Sequence, residues 1–295
     1  MVSEQNLQSW ASAPGETESE KCDNAVAAVR KAIDSDAALS RHNIRVFAQG
    51  SYRNRTNVRH DSDVDVCVSC RDSIFYDLPA GYSALDFNIS TPARYGYDQF
   101  KNDVGDALTS YFADGHVTRG HKAFDIKENT YRIAADAVPC FVYKNFCYDP
   151  PLEGVGFVTD GPGAKRIVNW PEQNYRNGAA KNIASGTRFK DVARILKRVC
   201  YKMKDEDVAG SDCIPSFLLE CLAYNVPSET LRLDTYLSIV RASLLFLYGG
   251  TNNAADCAQW KEVNEQKNLF DAGQVWTSTQ ANTFVVAAWH YLGFR

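Results

Sequence analysis

No stretch of this sequence approaches the roughly 18 consecutive apolar residues that a membrane-crossing helix requires. Its opening, Met1 to Glu20, is polar and acidic and does not read as a secretory signal. Basic residues are outnumbered, 32 Lys and Arg against 36 Asp and Glu, for a net charge of −4. A broad nonspecific DNA-binding surface needs a positive field, so this balance argues against one and leaves room for a local basic pocket. There is no internal repeat and no low-complexity tract. The nine cysteines are scattered, and the Cys67–Cys70 CxxC lacks the second ligand pair of a zinc site, since Cys140 and Cys147 are too far apart. A redox CxxC belongs at the start of a helix, whereas this one ends a strand-like pattern, so plain thiols in a reducing cytoplasm are expected. Cys200, Cys213 and Cys221 fall in apolar helical patterns, where a thiol behaves as a small hydrophobe.

What is present is an ordinary globular chain: 295 residues, 45% apolar and 23% charged, enough for one large domain or two packed lobes. Residues 1–17 read as a loose leader. Cys22, Val26, Val29 and Ile33 recur at helical spacing and predict an amphipathic helix over residues 18–38. Ile44 to Ala48 predicts a strand, and 51–61 a polar loop. Ser62 to Ser69 alternates strictly, with Val64, Val66 and Val68 on one face and Asp63, Asp65 and Cys67 on the other. Residues 71–94 read as looser. A helix is expected from about Tyr97 to Phe112, then strands at 124–126, 132–139, 141–143, 156–158 and 167–168, with a turn at Asp160-Gly161-Pro162-Gly163. From Arg188 the pattern becomes helical, with candidates at 214–224, 231–247 and 283–292. The chain therefore predicts an α+β fold, a mixed-sheet lobe over 1–182 followed by a helical lobe over 183–295.

The sharpest stretch is Gln49-Gly50-Ser51-Tyr52-Arg53-Asn54-Arg55-Thr56-Asn57-Val58-Arg59-His60-Asp61-Ser62-Asp63-Val64-Asp65-Val66. Carboxylates at i and i+2 of a strand share a face, roughly 6 to 7 Å apart along the chain. They repel, and a strand that carries such a cost commonly holds a cation. Magnesium suits the position, because it takes carboxylate oxygens together with substrate phosphates. The Gly50-Ser51 turn just after a strand supplies backbone N–H groups and a hydroxyl, the parts of a phosphate-binding turn. A solvated edge strand with two acidic residues remains the bland alternative.

This run resembles the signature of the polymerase-β-like nucleotidyltransferases, a Gly-Ser turn followed by Asp-x-Asp on the next strand. In its fuller form it resembles the CD-NTases, the bacterial relatives of cyclic GMP–AMP synthase and oligoadenylate synthetase, with a likeness extending from about Ala48 to Tyr224. The resemblance implies a two-lobed fold with the active site in the cleft between, two Mg2+ or Mn2+ ions, and a third aspartate on a later strand. Asp136, in Ala135-Asp136-Ala137, matches that third position. Read without the family, it is a carboxylate in an apolar strand, where an unpaired charge is costly. Asp61 is an alternative ligand. The family also implies triphosphate contacts from Gln49, Gly50 and Ser51, from Lys197 on the helix that carries Lys190 and Arg194, and from Ser216, with Phe217 as a base-stacking candidate. The segment 167–182 resembles the family's interlobe region.

The activity so implied joins ribonucleoside triphosphates, ATP or GTP favoured, into a cyclic or short linear oligonucleotide that activates a separate effector in CBASS-type antiphage defence. A monomer with no nucleic-acid activator is expected, since no zinc insertion of the animal DNA sensors is visible. The rivals are a transferase that modifies a tRNA, an antibiotic or a protein toxin, and a catalytically dead nucleotide-binding protein.

Overall fold

The computed structural model describes residues 2–58, 63–211 and 214–295. In chain order the elements begin with helices α1 (Glu4–Ala11) and α2 (Glu16–Ser35), strand β1 (Ile44–Ala48), the short helix α3 (Gly50–Asn54) and strand β2 (Val64–Asp77). Helix α4 (Tyr97–Phe112) precedes β3 (Val117–Arg119), β4 (Phe124–Ile126), β5 (Ala135–Asn145), β6 (Leu152–Val158) and β7 (Arg166–Asn169). The rest is helical: α5 (Pro171–Ala184), α6 (Phe189–Asp205), α7 (Ser216–Asn225), α8 (Tyr236–Thr251) and α9 (Ser278–Tyr291). None of the described helices is long and apolar enough to cross a membrane.

The chain forms two compact units. One comprises Gly15–Tyr52 and Ser62–Pro171, the other Met1–Pro14, Arg53–Asp61 and Glu172–Arg295. The first is built on a mixed sheet in the order β1-β2-β5-β4-β3, with β6 pairing β5 and β7 pairing β6. Among the described strands only β2 and β5 pair in parallel; the other pairs are antiparallel. Strand β5 pairs with β4 over Ala135–Ala137 and with β6 over Phe141–Asn145. Pro139 falls in the gap between those two partners, where its missing N–H interrupts no ladder, so a proline is tolerated in a central strand. The sheet's core is filled by Val64, Val66, Val68, Ala137 and Phe141, and by Val26 and Val29 of α2 and Phe100 and Val104 of α4. The turn at 160–163 is closed by Asp160, which pairs with the buried Lys101 at 2.9 Å and with Arg119 at 2.8 Å.

Four sequence expectations change, the first being the polar loop expected at 51–61, which opens instead with the short helix α3 (Gly50–Asn54). Strand β2 runs on to Asp77, through a register shift between Cys70 and Ile74, into the stretch 71–94 that had read as looser. The strands expected at 132–139 and 141–143 are one, starting at Ala135. Residues 1–17 are not a loose leader. Ser3 caps α1, whose Leu7 and Ala11 are buried in the core of the helical unit. The Glu4 carboxylate accepts the N–H groups of Tyr236 and Leu237 at 2.8 Å each, at the otherwise unsatisfied start of α8. Arg194 Nε donates to the Ala11 carbonyl and Arg198 Nη1 to that of Ser9, both at 2.6 Å.

That docking makes Leu7→Ala a large-to-small change at a fully buried position. It is expected to cost about 2–5 kcal/mol, read by urea denaturation. A loss below about 0.5 kcal/mol would mean that α1 does not anchor to the unit.

Candidate active site

Strand register sets the positions of the carboxylates. Asp65 on β2 is the direct neighbour of Asp136 on the parallel β5, and Asp136 is in turn the neighbour of Asp125 on the antiparallel β4. Three acidic residues thus occupy one row across three adjacent strands, with strand spacings of about 4.8 Å. Asp63 precedes Asp65 by two residues, on the same face by strand alternation. The neighbours of each acid along its own strand, Val64 and Val66, Ala135 and Ala137, Phe124 and Ile126, are all buried. The alternation therefore turns every carboxylate away from the apolar side.

The electrostatic result is large. Burial, and then the negative charges of Asp65, Asp125 and Asp63, push the Asp136 carboxyl from its ordinary 3.8 up to about 7. Asp125 also shares a hydrogen bond with Asp136. An all-oxygen donor set under this repulsion fits a hard divalent cation. No group of three or more His, Cys, Asp or Glu among the described residues is already gathered as a metal cage. Magnesium does not need one, because it commonly binds through one or two carboxylates plus substrate phosphates.

The turn above β2 is tied to the same row. Gln49 donates its backbone N–H to the Asp65 carbonyl at 2.9 Å, and Gln49 itself is buried. Gly50 has φ +65, and a Cβ there would stand 2.1 Å from Asp65 Oδ2. Only glycine allows both the backbone angle and this approach. Ser51 follows in the first turn of α3, half-buried.

The remaining site candidates lie in the helical unit. Lys197 is fully buried, with its Nζ 3.7 Å from Glu220 Oε2. Glu220 also accepts from Asn54 Nδ2 at 3.1 Å and from the Thr56 hydroxyl. Arg194 is buried as well, bonded to Asp191 and to the carbonyls of Ala11 and Arg55. Of the three cations on this side of α6, Lys190 is the half-exposed one. Burial and then the charge of Arg55 hold its ammonium below the usual lysine range, against the opposing carboxylate of Glu220 and with a smaller push from Arg194. Ser216 opens α7. Phe217 is partly buried against the helical core, its ring 6.2 Å from that of Trp276.

Two acidic residues escaped the sequence reading. Asp125 sits in the short Phe-Asp-Ile strand that was foreseen, but its place beside Asp136 depends on the pairing of β4 with β5. Glu220 left a fainter signal, a carboxylate within the otherwise apolar Phe-Leu-Leu-Glu-Cys-Leu of α7. Asp61, the alternative ligand, lies outside the described residues, as does Cys213. The eight described cysteines are free, and all but Cys147 are buried.

Comparison with known proteins agrees in both sequence and structure. Residues 176–293 match the model of the cGAS/DncV-like nucleotidyltransferase C-terminal helical domain. The chain is 39% identical over 293 residues to the cyclic dipyrimidine nucleotide synthase CdnE of Cecembia lonarensis, covering 99% of this chain and 98% of the relative. The structure of Elizabethkingia meningoseptica CdnE cyclic dinucleotide synthase with GTP and Apcpp superposes with a TM-score of 0.83 at 33% identity, covering 100% of each chain. The Rhodothermus marinus CdnE c-UMP-AMP synthase with Apcpp and Upnpp gives a TM-score of 0.85 at 30% identity, covering 98% of this chain and 95% of that one.

The raised carboxyl of Asp136 has a stability consequence. Between its unfolded value of 3.8 and its folded value of about 7, the native state binds the proton more tightly than the unfolded chain does. Asp136 therefore weakens the fold progressively as pH rises from about 4 to about 7, with the full penalty present above 7. In metal-free buffer, Asp136→Asn should raise the thermal midpoint by roughly 2–4 °C at pH 8 and by a smaller amount at pH 5, where the unfolded carboxyl is already ionised and the folded one is not, measured by calorimetry.

Proposed function

The chain belongs to the cGAS/DncV-like nucleotidyltransferases, the CD-NTases, and we propose that it links ribonucleoside triphosphates into a cyclic dinucleotide second messenger for CBASS-type antiphage signalling. The observation that carries this reading is the register of Asp65 with Asp136, beneath a glycine turn that leaves no room for a side chain. Family membership implies divalent-metal dependence. We infer two Mg2+ or Mn2+ ions, held by Asp63 and Asp65 with Asp136 completing the set. Such ions, when bound, would acidify the attacking hydroxyl and neutralise the triphosphate.

The chain's own residues account for the rest. A ribose oxygen forms a bond to the α-phosphorus of a triphosphate as the bond to the β-phosphate oxygen breaks, and pyrophosphate leaves. Asp136 takes the proton of the attacking hydroxyl. A second such step between the two linked nucleotides closes the ring. Ser51 and the backbone N–H groups of its turn are assigned to the phosphates, and Ser216 and Phe217 to the triphosphate and base, on the family likeness, whereas Lys197, fully buried against Glu220, is reassigned from a triphosphate contact to holding that carboxylate. Alignment and charge, more than covalent chemistry, supply the rate. The product acts through a separate effector. The acidic balance of the chain supports an enzyme that needs no nucleic-acid activator.

Incubating the pure protein with all four ribonucleotides and Mg2+ or Mn2+, without any acceptor, should yield a protein-free cyclic product by mass spectrometry. Asp63→Asn with Asp65→Asn should abolish it. A product found only when tRNA, a drug or a protein is added would sink the signalling reading. Because the proton and the metal compete for Asp136, the half-saturating Mg2+ concentration should rise as pH falls below about 7, approaching tenfold per pH unit, about the limit for one displaced proton. A Mg2+ requirement that stays flat from pH 8 to 6 would remove Asp136 from the metal set.

A further inference from the structure

A second cleft in the sheet unit, about 310 Å³ in volume, lies between α2, the end of α4 and residues 129–132, on residues distinct from the aspartate row. Ala27 and Ala28 contribute small apolar wall, while Tyr111 and Tyr131 are 45% and 76% exposed. Two large aromatic rings left in solvent at one cleft suit a flat partner better than they suit water. Arg132, only 6% exposed, also lines it, its guanidinium 4.7 Å from the centroid of the Phe112 ring. Arg132 Nη1 has no hydrogen-bond partner, and Arg132 makes no ion pair with any described residue.

A buried cation without a counter-ion is costly, and the Phe112 face offsets only part of that cost. Burial accordingly holds the Arg132 guanidinium below its ordinary range. The second cation of the lining is Lys31 on α2, and no acidic residue is among the lining residues, although the chain is acidic overall. Asn129 accepts the N–H groups of Tyr131 and Arg132 through Oδ1, at 2.9 and 3.0 Å, which leaves its amide NH2 as one more donor at the same wall. The donors of Arg132, Lys31 and Asn129 call for an anion, while Asn24, whose Nδ2 donates to the Tyr131 carbonyl at 2.9 Å, adds one acceptor oxygen to the lining. A volume near 300 Å³ is at the small end of ligand sites.

We propose that this cleft is a second binding site, for a small anion that carries a carboxylate or phosphate beside a planar ring. Arg132 and Lys31 hold the charged group, and Tyr111 and Tyr131 flank the ring. Titration calorimetry of the full chain in metal-free buffer tests this, with adenosine monophosphate and benzoate as the two charged ring probes and adenosine as the uncharged control. At least one charged probe should bind where adenosine does not, and which one binds identifies the head group. Affinity should fall roughly tenfold or more in Arg132→Gln, the scale of a charged hydrogen bond, and by a smaller factor in Lys31→Glu and Tyr131→Ala. Those last two side chains are exposed, so their variants stay informative even if Arg132→Gln fails to fold. Absence of binding by either charged probe at millimolar concentration, adenosine binding as tightly as its monophosphate, or affinities unchanged in both Lys31→Glu and Tyr131→Ala would overturn the proposal.

Discussion

Like charges forced into one row by strand pairing are the constraint on which the sheet unit depends. The backbone ladder fixes Asp65, Asp136 and Asp125 as neighbours, and side chains cannot relax out of a register set by buried residues on either side. The cost falls on Asp136, the middle member, which is the least able to spread its charge into water. A core drawn from the sheet, α2 and α4 outweighs that cost. The same repulsion would become affinity for the divalent cation proposed at this row, so that stability and metal binding would be two readings of one electrostatic energy.

The helical unit handles charge in the opposite way. Glu220 and Lys197 are both buried, and their attraction is completed by hydrogen bonds from Asn54 and Thr56. An ion pair with every partner present adds little net stability, but losing one partner is expensive. Glu220 thereby specifies how residues 53–58 lie against α6 and α7, reinforced by Arg194 at the Arg55 carbonyl. The sequence immediately ahead of the Asp-x-Asp strand is thus held by contacts made more than a hundred residues later in the chain.

How far each feature was legible follows from how local its cause is. Asp63 and Asp65 stood out because alternation over eight residues needs no partner to be seen. Helices α2 and α4 were visible through their apolar stripes. Asp136 required the family likeness, since an aspartate between alanines says nothing of which strand lies beside it. Asp125 was missed for the same reason, being one residue of a three-residue strand. Helix α1 was missed because only Leu7 and Ala11 mark its buried side, too short a stripe to register as periodic. The far half of β2 was hidden by Arg71 and Asp72, which sit where the register shifts. Lys197 reads on paper as part of a solvated basic face, and its burial is set by Glu220, a residue on another helix.

The helical unit is drawn from three separate stretches of chain, the first and second preceding most of the sheet. During synthesis on the ribosome, α1 and the segment from Arg53 emerge long before α6, α7 and α8, the helices they pack and bond with. They must wait for those partners, while every stretch of the sheet unit is already in place by Pro171. Vectorial translation therefore builds the sheet unit first and sets the helical unit only once the final third of the polypeptide is free. A ribosome stalled between the two stages would release a half-formed molecule whose early helix has nothing to hold.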